Sequence, residues 1–148
     1  YDGAEPVGNS IAALNLLKLS QITNNNTWRG MAEKTIQSFG SRLNQMPEAL
    51  PQMLVAFNWQ LTTPKEIIVV GNRTAEDTKT MLREVRKHFL PNKVILLVDD
   101  DSKSKLVAYL PFIENMTMID SKATAYICQN YSCQLPTNDV EKVAEMLG

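Results

Sequence analysis

With 148 residues, 44% hydrophobic and 21% charged, the chain has ordinary globular usage and enough material for one good core or two small ones, which excludes a disordered or low-complexity polypeptide. Fifteen Lys and Arg against sixteen Asp and Glu leave a net charge of −1, so no charge imbalance draws the chain to nucleic acid or to an anionic membrane surface. No apolar run approaches the roughly eighteen residues that cross a bilayer, and no charged stretch followed by an apolar one marks a leader; the reading is a soluble chain with no membrane or nucleic-acid partner.

The chain starts at Tyr1 rather than Met and enters a helical pattern almost at once, as expected of a piece of a longer protein whose targeting signal lies elsewhere. Its first residues, YDGAEPVGNS, place Asp2 and Glu5 three apart before that pattern. Paired carboxylates perform sugar chemistry when they face each other across a cavity roughly 5–10 Å wide, which two residues on one turn do not supply alone. Carboxylates before a helix also stabilise its positive end, by about 0.3–1 kcal/mol. Spacing by itself favours this helix-start reading.

From Asn9 or Ser10 the apolar positions Ile11, Leu14, Leu16, Leu17, Leu19 and Ile22 recur around the whole helix, which predicts burial on most sides. TNNNT at 23–27 ends it, with Thr27 as the expected cap of an amphipathic second helix carrying Trp28, Met31, Ala32, Ile36, Phe39 and Leu43. Pro47 and Pro51 suit a helix's first turn, and Met53, Leu54, Phe57 and Leu61 mark the next apolar face. Residues 1–62 thus read as three helices of an α-hairpin array. One and a half hairpins cannot cover such faces, so further helices are expected upstream or in a partner.

The character changes at 62–65, where the second domain, 63–148, begins. EIIVVG at 66–71, a helix from about Thr74 to His88 and KVILLV at 93–98 predict a β-α-β unit with a parallel pair. A weaker helix at 103–110, short strands at 117–120 and 124–128, and a terminal helix after Asn138 complete the expectation. The fold class is therefore mixed α and α/β: helices first, then a small, mostly parallel sheet of three to four strands flanked by helices.

Several constellations carry chemistry. Cys128 and Cys133 are close enough for a bridge; buried structural thiols, a redox pair and a partial metal site all remain open, although C-x-x-C spacing and a second cysteine pair are lacking. Two cysteines favour a reducing compartment such as the cytoplasm, while N-x-S/T sequons at Asn25, Asn72, Asn115 and Asn130 point weakly the other way. DDD at 99–101 follows a strand, where carboxylates hold a cation or a ribose or simply face solvent. GNRT at 71–74 joins strand to helix where a phosphate could sit, without either glycine-rich phosphate motif. His88 ends a basic helix, where the helix's negative end favours it without further role. No metal site and no cofactor are called for.

Four stretches, YDGAEPVGNSIAALNLLKL, MPEALPQML, FLPNKVILL and ATAYICQNYSCQLPTND, occur in an order and with gaps that resemble the C-terminal part of the spermatogenesis-associated thioredoxin-domain proteins. That resemblance implies a thioredoxin-like domain and most of an (α/α)6 toroid elsewhere in the polypeptide, the toroid being similar to N-acylglucosamine 2-epimerases and six-hairpin glycosidases. Residues 1–62 would be the last helices of an incomplete toroid, partnered by the rest of the same polypeptide and by a sugar. Asp2 and Glu5 would be acid/base or hydroxyl-binding groups at the cavity mouth, with Tyr1 and Asn9 as ligand-binding neighbours. Val7 departs from the small serine expected in many relatives. Because fold does not carry function with it, two further readings stand beside carbohydrate binding or processing: a thiol-redox-linked interaction module using Cys128 and Cys133, and a structural cap of the toroid. The fragment alone is expected to be inactive.

Overall fold

The polar run TNNNT makes a tight corner because asparagine tolerates the left-handed backbone region. Asn24 takes it, with φ 52°, and closes helix α1 (Gly8–Thr23). Asn25 then accepts a hydrogen bond from the Trp28 backbone N–H, 3.1 Å, and caps α2 (Asn26–Ser38). Thr27, the expected cap, lies inside the helix instead, because the asparagine two residues earlier reaches the free N–H first.

The computed structural model describes residues 1–130 and 132–148, which form two units, Tyr1–Thr63 and Pro64–Gly148. Tyr131, within the last of the four resemblance stretches and within the sequon at Asn130, lies outside the described residues.

In the first unit α1 packs on α2 and on α4 (Pro51–Leu61). The expected second helix breaks at Phe39 into α2 and a short α3 (Gly40–Gln45), so four α-helices stand where three were predicted. Alpha1 buries a single stripe, Ser10, Ala13, Leu14, Leu17, Ser20 and Gln21, rather than most of its surface. Ile11 and Leu19 remain exposed because nothing within residues 1–63 covers that side. Alpha4 is rotated from its predicted face: Met53, Ala56 and Trp59 are buried at three-residue spacing while Phe57 and Leu61 are exposed. The Lys18 ammonium lies 5.5 Å from the centre of the Trp59 ring, a cation–π contact joining α1 to α4.

In the second unit the parallel pair forms as expected. Strand β1 (Lys65–Val70) pairs with β2 (Lys93–Val98) in register Lys65 to Lys93 through Val70 to Val98. Between them runs α5 (Glu76–Lys87), with Glu76 and Asp77 in its first turn and Arg86 and Lys87 in its last, the polarity its dipole favours. The rest of the sheet corrects the mostly parallel expectation. After β2 come α6 (Asp100–Leu106) and a 3-10 turn (Pro111–Asn115), and then TMID forms a tight reversal instead of a strand. Asp120 and Ser121 adopt φ of 51° and 56° there. Strand β3 (Thr124–Gln129) therefore starts beside the end of β1, Thr124 opposite Val70, and runs back antiparallel. A hairpin carrying Asn130 at φ 52° adds β4 (Ser132–Cys133), also antiparallel. The sheet order is β2-β1-β3-β4, mixed, with one parallel pairing and two antiparallel.

Alternation along β1 and β3 sends Ile67, Val69, Ala125 and Ile127 to one face, where Met81 and Val85 of α5 and Val143 and Leu147 of α7 (Val140–Leu147) complete a core. Asp139 caps α7 by accepting from the Glu141 and Lys142 backbone N–H groups.

Candidate functional site

Proline at the first position of α4 has no N–H to offer, so the next backbone donors, Gln52 and Met53, need an acceptor. The acceptor comes from fifty residues away. Asp2 Oδ2 receives both, at 3.0 and 3.1 Å, and also the Ser10 hydroxyl at 3.0 Å, while Oδ1 receives the Val7 backbone N–H at 2.8 Å. The Asp2 N–H donates to the Ala49 carbonyl at 2.8 Å. A carboxylate offers about four lone-pair positions, two on each oxygen, and four donors converge on this one, three on Oδ2 and one on Oδ1. Burial alone raises the Asp2 pKa, but the hydrogen bonds from Val7, Ser10, Met53 and Gln52 outweigh it and hold the carboxyl below its ordinary value.

Asp2 is 5% exposed, and Glu5, Tyr1 and Asn9 are all exposed. The two carboxylates therefore have opposite environments: Asp2 is turned inward onto two helix starts, and Glu5 stands in solvent. Ser10, which sequence reasoning missed, completes the arrangement, and its place in the first turn of α1 was the only local sign of it.

Cys128 and Cys133 are direct cross-strand partners on the β3–β4 ladder and are joined by a disulfide. The bridge that the sequence left open is thus the one that forms, in place of two separate structural thiols: antiparallel pairing sets the two residues opposite each other, Cα to Cα 3.9 Å, with Cys128 buried and Cys133 exposed. Reducing this bond, or replacing Cys133 by serine, is expected to lower the stability of the α/β unit by about 2 kcal/mol, the value for closing so short a loop, with the helical unit unchanged. Chemical denaturation followed separately by Trp fluorescence, both tryptophans being in residues 1–63, and by amide exchange in β1 and β3 checks this.

GNRT and DDD, read separately in the sequence, meet. Both line a cleft of about 980 Å³ at the carboxyl ends of β1 and β2, whose far wall is Met116–Met118. Arg73 Nε lies 3.0 Å from Asp99 Oδ2. Asp99 also caps α6 through the Ser102 backbone N–H at 2.7 Å, and Ser102 Oγ receives the Asp99 N–H at 2.9 Å. The Ser102 backbone N–H first, then its hydroxyl and the Arg73 guanidinium, lower the Asp99 pKa to about 2. His88 Nε2 lies 3.2 Å from Glu84 Oε1 at the end of α5. Among the described residues no group of three or more His, Cys, Asp or Glu is placed to hold a metal ion, and no helix is long and apolar enough to cross a membrane.

The two units and these sites define a chain of mixed helical and α/β structure. It is similar to spermatogenesis-associated protein 20 of Homo sapiens, 38% identical over 146 residues, and to the protein of the same name in Mus musculus, 36% identical over the same length. An uncharacterised protein of Caenorhabditis elegans is 31% identical over 148 residues. Each alignment takes in 99% of this chain but only 18–20% of the relative, so the chain spans about a fifth of the proteins it matches. No family model matches the chain, and no solved structure matches it.

Proposed function

We propose that this chain is the closing part of a longer protein, that its helical unit supplies the last hairpins of an α/α toroid, and that the toroid binds or processes a carbohydrate-like ligand. The observation that carries this reading is the uncovered apolar surface of residues 1–63. Ile11 and Leu19 on α1, Met31 on α2, and Val55, Phe57 and Leu61 on α4 are all exposed, on helices whose opposite faces are buried. Large apolar side chains in such number on one small helical unit call for further helices to cover them. The span of about a fifth of the matched relatives leaves ample chain for this.

Within this reading the four roles divide by environment. Asp2 shapes the rim by holding the starts of α1 and α4. Exposed Glu5 is the carboxylate free to accept a ligand hydroxyl or to exchange a proton, and Tyr1 and Asn9 stand with it on the exposed surface. Acid/base work by Asp2 would require breaking four hydrogen bonds first.

The test is a sugar and amino-sugar binding screen on the full-length protein with Glu5→Gln and Asp2→Asn. Glu5→Gln is expected to weaken binding about tenfold or more with the melting temperature unchanged, and Asp2→Asn to lower the melting temperature. Binding that neither variant alters would sink the assignment of the rim, and a full-length protein that binds no sugar would sink the reading as a whole.

A second reading, a thiol-linked interaction module, is favoured by one feature, the disulfide with its Cys133 side exposed at the sheet edge. Thiol titration of the full-length protein under oxidising and reducing conditions separates the two. No change at Cys128 or Cys133 removes the second.

A further inference from the structure

We propose that the cleft at the carboxyl ends of β1 and β2 binds a small molecule carrying both vicinal hydroxyls and a phosphate, either a sugar phosphate or the ribose-phosphate part of a nucleotide. This goes beyond the toroid reading and concerns the other unit of the chain. In open α/β sheets ligands bind outside the carboxyl ends of parallel strands, where the connections diverge to opposite sides. The parallel pair β1–β2 provides such carboxyl ends: the chain leaves β1 into α5, leaves β2 into α6, and returns to start β3 beside the end of β1, so three chain segments meet at this end of the sheet. The cleft of about 980 Å³ lies there, a volume suited to a small organic ligand.

Its lining decides the chemistry. Three backbone donors of this loop are already used: Gly71 N–H donates to the Val98 carbonyl, Thr74 N–H to the Asn72 side chain and Ala75 N–H to the Asn72 carbonyl. The cationic groups lining the cleft for anion recognition are side chains, Arg73 on one wall and Lys105 on the other. Lys103 is held by the Met116 carbonyl at 2.7 Å and fixes the far wall instead. Asp99 is committed to Arg73 and to the cap of α6. Its salt bridge orients the guanidinium, whose terminal nitrogens remain available, since the bond runs through Nε. Exposed Asp100 and Asp101 also line the cleft and are acceptors for hydroxyl groups. Two cations and two carboxylates lining one cleft suit neither a bare anion nor a bare metal ion; they suit a ligand that presents both an anion and hydroxyl donors, above the apolar floor of Val70 and Val98.

The experiment is a ¹⁵N chemical-shift titration of the 148-residue chain with ribose 5-phosphate, adenosine 5′-monophosphate, ribose and inorganic phosphate. Saturable shifts at residues 71–74, 99–103 and 116–118 are expected with at least one of the two phosphorylated probes, at least about tenfold tighter than with ribose or phosphate alone. Tighter binding of the adenosine compound assigns a nucleotide, and tighter binding of ribose 5-phosphate a sugar phosphate. Lys105→Ala and Asp100→Asn, both exposed, are each expected to weaken binding several-fold with the amide spectrum otherwise preserved, and Arg73→Ala to weaken it further. The proposal is overturned by no saturation up to about 10 mM, by shifts outside the cleft, by phosphate binding as tightly as its ribose ester, or by variants that leave affinity unchanged.

Discussion

Replacing Asp2 by alanine is expected to destabilise the helical unit by about 3 kcal/mol. The substitution removes one acceptor and leaves three backbone N–H groups and a buried hydroxyl without it. Ser10→Ala, which removes one donor from a carboxylate that keeps three, should cost only about 1 kcal/mol. Urea denaturation read by fluorescence of Trp28 and Trp59 measures both. The effect also has a pH signature. The Asp2 pKa is lowered in the folded state, because its hydrogen bonds more than offset the burial that raises it. The unfolded chain therefore takes up the proton first on acidification. The stability Asp2 contributes is fully present above an ordinary carboxylate pKa of about 4 and is lost as pH falls through the lower folded value. The gap between wild type and Asp2→Ala should hold from neutral pH down to about 5 and narrow below 4.

Gly71→Ala should cost the α/β unit about 1–3 kcal/mol through overpacking rather than through backbone conformation. A Cβ at this position would stand 2.5 Å from Thr78 Oγ1 and 3.2 Å from the Ala123 Cβ. The backbone has little room to withdraw, because Gly71 N–H is tied to the Val98 carbonyl at 3.0 Å. Thr78 is fully buried, and its hydroxyl has no hydrogen-bond partner among the described residues. Thr78→Ala should therefore be mild alone and should recover part of the loss in combination, a coupling of about 1 kcal/mol in a double-mutant cycle. Strict additivity would show that the clash with Ala123 governs instead.

The β1-α5-β2 unit was legible because strands buried in a parallel pair read as continuous apolar runs, and IIVV and VILLV do. The direction of β3 was not. TAYIC carries no mark of its polarity, which is set by the reversal at Asp120 and Ser121, where two non-glycine residues take positive φ without the glycine that normally signals such a turn. Burial on the helices was misjudged for a different reason. The apolar positions of α1 and α4 outnumber what residues 1–63 cover, so Ile11, Leu19, Phe57 and Leu61, each apolar and correctly periodic, lie exposed.

The candidate sites divide along the same line. Asp2 as a helix-start carboxylate could be read locally, but its bonds to Gln52 and Met53 span some fifty residues and follow from where α4 happens to begin. The cleft was visible only as two unrelated motifs, since Arg73 and Asp99 are twenty-six residues apart and meet because the parallel register sets the ends of β1 and β2 side by side. The cysteine pair was readable as a possible bridge, and the register opposing Cys128 to Cys133 decides it.

That the opening carboxylate is a structural node binding two helix starts is tested most directly by amide hydrogen exchange in the Asp2→Ala variant. A larger loss of protection at Val7, Gln52 and Met53 than in α2, with protection in β1 of the other unit retained, is the expected result. Unchanged protection at Gln52 and Met53 would contradict it, and would return Asp2 to the role of a free carboxylate.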